Sequence, residues 1–264
     1  MSKASRADRR ASNRRQFLVA SGLTACNLEL AAAEEGAKKP LVKPTSGIAG
    51  IKKLLAGKEA LTWVLTGDSI THGALHTKGW RSYPEHFAER VRWELQRMRD
   101  VVINTGISGD RTGGLLADIE WRALRFQPNV VSAMLGMNDA TSGKAGRETF
   151  RKNLTSITEK IIAAGAIPLL NTPNTVHVKN AGNRGDLAAY AEIVREVARE
   201  SRAGLVDHWE HWSKTKPNQE DLLAWIEDQR LHPNVYGHRE FAKLIFRELG
   251  IYDAKSPTCA LEVP

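Results

Sequence analysis

Cysteine is nearly missing from this chain: of 264 residues, only Cys26 and Cys259 carry a thiol. Cys26 falls in a stretch that reads as an N-terminal leader, so the body of the protein keeps Cys259 alone and has no internal disulfide available. Long apolar runs are missing too. The hydrophobic stretch from Phe17 is too short for a bilayer, and no later stretch is long and apolar enough, which excludes a helical membrane span. Internal repeats and low-complexity blocks are absent. A concentrated basic stripe is absent as well. Half of the formal net charge of +8 sits in the first 33 residues, where Lys3, Arg6, Arg9, Arg10, Arg14 and Arg15 face only Asp8 and Glu29. The remaining cations interleave with acids, as in "RKNLTSITEK" from Arg151, the pattern of a solvated helix face rather than a nucleic-acid footprint.

What is present begins with that leader. "RADRRASNRRQFLVASGLTAC" has a basic front, the pair Arg14-Arg15 and a short apolar core, the grammar of a twin-arginine export signal, a class that carries folded proteins. Two exits compete. "LAAA" ending at Ala33 suits an ordinary signal peptidase, whereas "LTAC" ending at Cys26 is similar to a lipobox whose cysteine would be acylated. The expected location is periplasmic or extracellular, with a membrane engaged only through a lipid on Cys26.

Residues 34–57 read as a polar tether plus a short helix at "IAGIKKLLAG", residues 58–252 as the main domain and 253–264 as a tail. Within the domain, apolar strand-like runs alternate with longer amphipathic segments. "LTWVLTG", "VVINTG", "VVSAMLG", "IPLLNTP" and "GLVDHW" are each followed by a helical pattern, and five β-α units in succession predict a parallel sheet with helices on both faces. In "EHFAERVRWELQRMR", Phe87, Val91, Leu95 and Met98 recur at helical spacing and are expected in the core, with the intervening Arg and Glu residues in water.

Ligands of an open parallel sheet sit beyond the carboxyl ends of its strands. The first strand ends in Gly67-Asp68-Ser69, the second in "NTGISGDRT", the third in "LGMND", and "LHPNVYGH" precedes the last helix. Gly, Asp and Ser are ordinary turn residues, and any one block alone is weak. Four blocks in order are much stronger. Over roughly residues 61–250 the chain resembles the SGNH, or GDSL-type, esterase and acylhydrolase family. The resemblance implies a flavodoxin-like α/β three-layer sandwich on a five-stranded parallel sheet, and a cofactor-free serine esterase acting through an acyl-enzyme on a small-molecule or glycan ester.

Each block then has a role. Ser69 matches the nucleophile, whose hydroxyl is inert until a base takes its proton, and His232 matches that base. The backbone N–H groups of Ser69 and Gly109 and the side-chain amide of Asn138 match the oxyanion donors. The family's orienting acid stands three residues before the histidine, but that position here is Gln229, and Asp228 lies four before. Either a one-residue bulge brings Asp228 to the ring, or the site is a Ser-His dyad helped by a backbone carbonyl.

Other residues give competing signals. His72 and His76, four apart, suit one helix face as metal ligands, but no glutamate or third ligand stands at a motif spacing, so no metal is expected. Asp139 is expected to hold the loop around Asn138, and His238 to pack or hydrogen-bond at the last helix. Asn174, in "TPNTVH" after the fourth strand, is the expected polar contact of a pocket wall. Trp80 and Tyr83 suit either an aromatic wall for a sugar ring or core positions. Export and the lack of a lipid-binding apolar helix favour carbohydrate deacetylation. A lysophospholipase or thioesterase is the near alternative, and a non-catalytic carbohydrate-binding module on the same scaffold is the distant one.

Overall fold

The computed structural model describes residues 47–73 and 75–260. The expected leader, with its two candidate exits at Ala33 and Cys26, lies outside the described residues.

The five apolar runs form five strands: β1 (Thr62–Gly67), β2 (Val101–Asn104), β3 (Val130–Met134), β4 (Ile167–Asn171) and β5 (Gly204–Val206). All pair in parallel, in the order β2-β1-β3-β4-β5. This is the doubly wound flavodoxin order, in which the winding reverses between β1 and β3 and opens a crevice at their carboxyl ends. The central strands are apolar throughout because helices cover both faces. Trp63 and Leu65 of β1 pack into one layer, while Val64 packs with Val131 into the other. Edge strand β2 is less protected, with Val101 half exposed.

One helical layer contains α1 (Gly47–Ala56), α3 (Tyr83–Glu89) and α9 (Val235–Leu249); the other contains α4 (Thr112–Arg122), α5 (Arg147–Ala163) and α6 (Leu187–Ser201). The single turn α2 (Ser69–His72) follows β1 directly. Short helices α7 (His208–Thr215), α8 (Gln219–Leu222) and α10 (Pro257–Ala260) complete the described chain. In α5 the residues Phe150, Leu154, Ile157 and Ile161 recur at intervals of three and four and are all buried, so its apolar stripe is what fixes it to the sheet.

Three expectations need correction. The helix expected within the tether is part of the domain: α1 contacts β4, β5 and α9, and Ile51 is fully buried in the main core. The supposed tail is docked as well. Thr258 donates through its N–H and hydroxyl to Glu94 Oε1 at 2.6 and 2.5 Å, and Cys259 is buried. The third concerns α3. It buries Phe87 and Val91 as its spacing requires, but the chain then widens into a π-helical turn over Arg90–Glu94. That turn shifts the phase of everything after it. Met98 becomes exposed, while Arg90 and Glu94 face inward and pair at 2.8 Å. Arg90 also donates to the carbonyl of Ile251 at 2.9 and 2.7 Å, which ties this helix to the chain leaving α9.

Candidate active site

The crevice between the ends of β1 and β3 is built first by backbone. Gly67 ends β1 where a Cβ would fall 2.3 Å from the carbonyl oxygen of Met134 and from Thr71 Oγ1, so only glycine lets the chain turn there. Asp68 caps the next turn, its Oδ1 accepting from the Ile70 N–H at 3.0 Å. Burial, with help from Asp139 and Asp110, pushes the Asp68 carboxyl up to about 7, against the opposing Ile70 hydrogen bond. Ser69 follows, half-buried at the mouth of the crevice. Among the described hydrogen bonds its N–H has no protein acceptor.

His232 Nε2 lies 2.9 Å from Ser69 Oγ although the two residues are 163 positions apart. Asp228 Oδ2 lies 2.6 Å from His232 Nδ1. The displaced acid is therefore brought to the ring. Gln229 takes a left-handed conformation, φ 54°, which absorbs the extra residue. The turn folds Asp228 Oδ1 onto three successive N–H groups, of Arg230 at 3.0, Leu231 at 2.8 and His232 at 3.1 Å. Burial by itself would raise the Asp228 carboxyl, but the His232 hydrogen bond and these three donors outweigh it and hold it well below the usual carboxylate range. An ionised carboxylate can only accept. The Nδ1 atom therefore carries the proton, and Nε2 presents its lone pair to the serine hydroxyl.

The segment that carries the pair is fastened along its length. Ile226 and Pro233 bridge its two ends, and Asn234 caps α9 through Tyr236 and Gly237. Chain leaving β4 then holds three carbonyls in a row: Asn180 Nδ2 donates to Gln229 at 2.8 Å, the His177 N–H to Arg230 at 2.9 Å and Asn174 Nδ2 to Leu231 at 3.0 Å. Asn174 is accordingly corrected from pocket wall to support. It is fully buried, out of reach of a substrate, and braces the residue before His232.

The other two blocks meet across the crevice. Gly109 occupies a tight turn, closed by the Asp110 N–H on the Ile107 carbonyl at 3.1 Å, and its φ of 82° is one that glycine adopts freely. Asn138 Nδ2 donates to the Asp110 carbonyl at 3.0 Å, while its Oδ1 accepts from Arg184 at 3.3 Å. With Oδ1 fixed by a guanidinium, the amide group is oriented and its second hydrogen is left for a ligand. Asp139 accepts from the N–H and hydroxyl of Thr112 at 3.0 and 2.6 Å, which holds the loop as expected.

Four participants were not read from the sequence. Arg122, almost fully buried in α4, pairs with Asp110 and donates to Thr66 Oγ1 and to the carbonyls of Gly67 and Thr105, joining the ends of β1 and β2 to the Gly109 turn. Arg184 is the second, His177 and Asn180 the third and fourth. No local signal marks any of them, because each acts on a partner far away in the chain.

His72 and His76 do not share a helix face. His72 ends α2 and bonds Ser108 Oγ at 3.0 Å. His76 lies in the following loop with its ring stacked on His232, centroids 3.6 Å apart and planes within 6°. His76, Asp228 and His232 each place a ligand atom within 4.8 Å of the others. Lone pairs confined to two nearly parallel ring planes cannot meet at one ion, so a metal would have to break both the stack and the Asp228 bond. Tyr83 is core, bonded to Thr71 Oγ1 at 2.8 Å, whereas Trp80 remains exposed. His238 accepts from the Tyr83 N–H at 3.3 Å, buried in α9.

Comparison with known proteins agrees with this architecture. A model of the GDSL-like lipase/acylhydrolase family matches residues 65–240. An acetylxylan esterase of Geobacillus stearothermophilus is 29% identical over 213 residues, 70% of this chain and 91% of that protein. Esterase TesA of Pseudomonas aeruginosa is 29% identical over 165 residues, 61% of this chain and 77% of its own. The crystal structure of the Geobacillus stearothermophilus acetylxylan esterase superposes with a TM-score of 0.61 at 22% identity, covering 73% of this chain and 95% of that one. An alpha/beta hydrolase from the metagenome of Lake Arreo, Spain, does so with 0.62 at 22% identity, covering 74% and 99%. Both likenesses show the shared fold. With a family match across most of the domain and a sheet of the same kind beneath it, this chain belongs to the GDSL-like lipase/acylhydrolase family and is a carboxylic ester hydrolase.

Proposed function

We propose that this enzyme is an exported serine esterase that deacetylates carbohydrate esters through an acyl-enzyme. The observation that carries the reading is the unbroken hydrogen-bonded line from Asp228 through His232 to Ser69, at 2.6 and 2.9 Å, at the carboxyl end of β1. As Ser69 Oγ attacks the ester carbonyl, His232 Nε2 takes its proton and Asp228 stabilises the imidazolium. The same proton is returned to the leaving alkoxide. Water, deprotonated by His232, then attacks the acyl-serine, releases the acid and restores Ser69. In both halves the carbonyl oxygen gains negative charge, met by the Ser69 and Gly109 N–H groups and the Asn138 amide. One such donor contributes about 2.7–4 kcal/mol of transition-state stabilisation.

The acetylated-sugar preference rests on the likeness to an acetylxylan esterase and on Trp80, exposed on the loop that carries His76. Export rests on the leader pattern of residues 6–26. The non-catalytic alternative drew on the missing acid at position 229, and the 2.6 Å approach of Asp228 removes that ground. Ser69→Ala is expected to lower hydrolysis of an aryl acetate by several orders of magnitude and to abolish labelling by a fluorophosphonate probe, with an unchanged circular dichroism spectrum. Equal turnover in mutant and wild type would overturn the assignment. A panel of acetylated sugars, acyl-glycerols and acyl-thioesters separates the substrate classes.

A further inference from the structure

Three arginines border the loops that carry Gly109, Asn138 and His232, and among the described ion pairs none of them has a carboxylate partner. Arg184 bonds Asn138 Oδ1 at 3.3 Å and the carbonyls of Met137 and Ala181 at 3.0 and 3.3 Å. Arg111, exposed and one residue after the Gly109-Asp110 turn, donates to Thr141 Oγ1 at 2.8 Å and to Ser142 Oγ at 3.4 Å. The Thr141 hydroxyl in turn donates to the Asn138 carbonyl, which places Arg111 on the same loop that Arg184 orients. Arg230, exposed, lies two residues before His232 and donates through Nε to the Asn180 carbonyl at 3.0 Å. Burial, and then the positive charges of Arg230 and Arg111, oppose ionisation of Arg184 while Asp68 and Asp228 favour it, so Arg184 lies within electrostatic range of both other arginines.

Most acids nearby have partners of their own, and Asp139, held through Oδ1 by Thr112, lies in the field of Arg111 without a direct contact to it. Asp110 pairs with Arg122, Glu227 with Lys78, Asp186 with Arg147 and Asp228 with His232. Asp68 is buried behind the serine with its carboxyl raised toward neutrality. Among the described ion pairs none involves Arg111, Arg184 or Arg230. The crevice therefore carries three guanidinium charges with no carboxylate in direct contact among the described ion pairs, offset only at longer range by Asp228 and Asp139.

We infer that the site selects esters whose alcohol portion carries a carboxylate, such as an acetylated uronate unit of a glycan, with Arg111, Arg184 and Arg230 forming the surface that receives the negative charge. The alcohol side is assigned because the leaving alkoxide is protonated by His232, and Arg230 stands next to that residue on the same loop. The inference rests on the esterase reading above and adds the charge of its substrate. At the distances available on a wet surface, each guanidinium contributes only a few-fold, and three together give on the order of tenfold in kcat/KM at low ionic strength. Salt should erode it over a Debye length of about 8 Å at physiological ionic strength.

The test is a matched pair: a monoacetylated methyl glucoside and the corresponding methyl glucuronoside, which differ only at C6, a hydroxymethyl group in the first and a carboxylate in the second. The purified protein is expected to cleave the uronate about tenfold faster in kcat/KM at 20 mM salt, and the ratio to fall toward one at 0.5 M. The ratio is expected to collapse in the Arg111→Gln/Arg230→Gln double variant, and to return in Arg111→Lys/Arg230→Lys. A wild-type ratio of one or less overturns the inference, and needs no variant to fold. A ratio that survives in the double Gln variant overturns it too. An aryl hydrogen succinate compared with the aryl butyrate places the charge on the acyl side, and a preference confined to that pair overturns the alcohol-side assignment. If both sugar esters are refused while an aryl acetate is cleaved, the carbohydrate reading itself fails; if both are cleaved equally, only the charge preference does.

Discussion

At the scale of single residues, the decisive position is Gln229, whose left-handed backbone does what a shorter spacing does elsewhere in the family. Its side chain is exposed and its work is conformational. Asp228→Asn is therefore expected to lower kcat by orders of magnitude, since an amide neither stabilises the imidazolium nor enforces the tautomer; in a chymotrypsin-type triad the equivalent change costs about 10⁴-fold. Gln229→Ala should retain most of the activity. The opposite pattern, activity kept in Asp228→Asn and lost in Gln229→Ala, would show that a neutral hydrogen bond holds the ring. His76 offers a second residue-scale test. If its stacked ring fixes the plane of His232, His76→Ala should lower kcat on the order of tenfold while His76→Phe, which preserves a flat partner, should not. Equal loss in both would assign the effect to something other than stacking. Ser69, Gly109, Asn138 and His232 stand out in the sequence only through the order of their blocks and the family these resemble, and the structure brings those blocks to one crevice. The stacking of His76 and the contact of Arg184 do not, because a ring stack and a guanidinium on a distant amide leave no periodicity behind.

At the scale of elements, all five strands were legible as apolar runs and helix α5 as a stripe, because there the period of the pattern is the period of the structure. The continuation of α3 was not. Its spacing pointed Leu95 and Met98 inward, yet one π-helical turn brings Arg90 and Glu94 in instead. What overrides the period is a tertiary pair: Glu94 receives Arg90 and Thr258 together, so that the helix and the C-terminal turn share one inward-facing carboxylate. Arg90→Ala should accordingly destabilise the fold by about 3 kcal/mol, because it strands the inward-facing Glu94 charge. Urea unfolding measures it. A loss below about 1 kcal/mol would show that the pair is no more than a surface contact in strength, and turnover of the folded enzyme at saturating substrate should be unchanged in either case.

At the scale of the whole molecule, stability should follow the histidines. Burial holds His86 down to about 4, His238 down to about 3 and His208 well below its ordinary value. All three are neutral in the fold, whereas the unfolded chain titrates them near 6.5. Their contribution is thus complete above about pH 7 and is lost as the pH falls toward 4, where unfolding takes up protons that the native state refuses. Asp68 acts in the opposite sense. With its carboxyl raised to about 7, it is protonated in the fold over the same interval and favours the native state more as the pH falls. Asp139, also raised, shares that direction. Three imidazoles, two of them displaced by more than two pH units, outweigh these carboxyls, so the thermal midpoint should drop from pH 7 to pH 4.5. Calorimetry across that range decides it, and a midpoint that is level or rises would mean that the carboxyls dominate.

The 163 positions that separate Ser69 from His232 have a temporal meaning during synthesis. The hydroxyl-bearing turn leaves the ribosome early, with β1, while the imidazole arrives only after β5 and is held in place by the start of α9. On the proposed mechanism, a nascent chain that has assembled most of the sheet, and the Gly109 and Asn138 loops with it, still has no base to activate its serine. Esterase activity is then expected to return in a refolding experiment only with the docking of the last long helix, and activity that returns before α9 is protected would overturn the role given to His232.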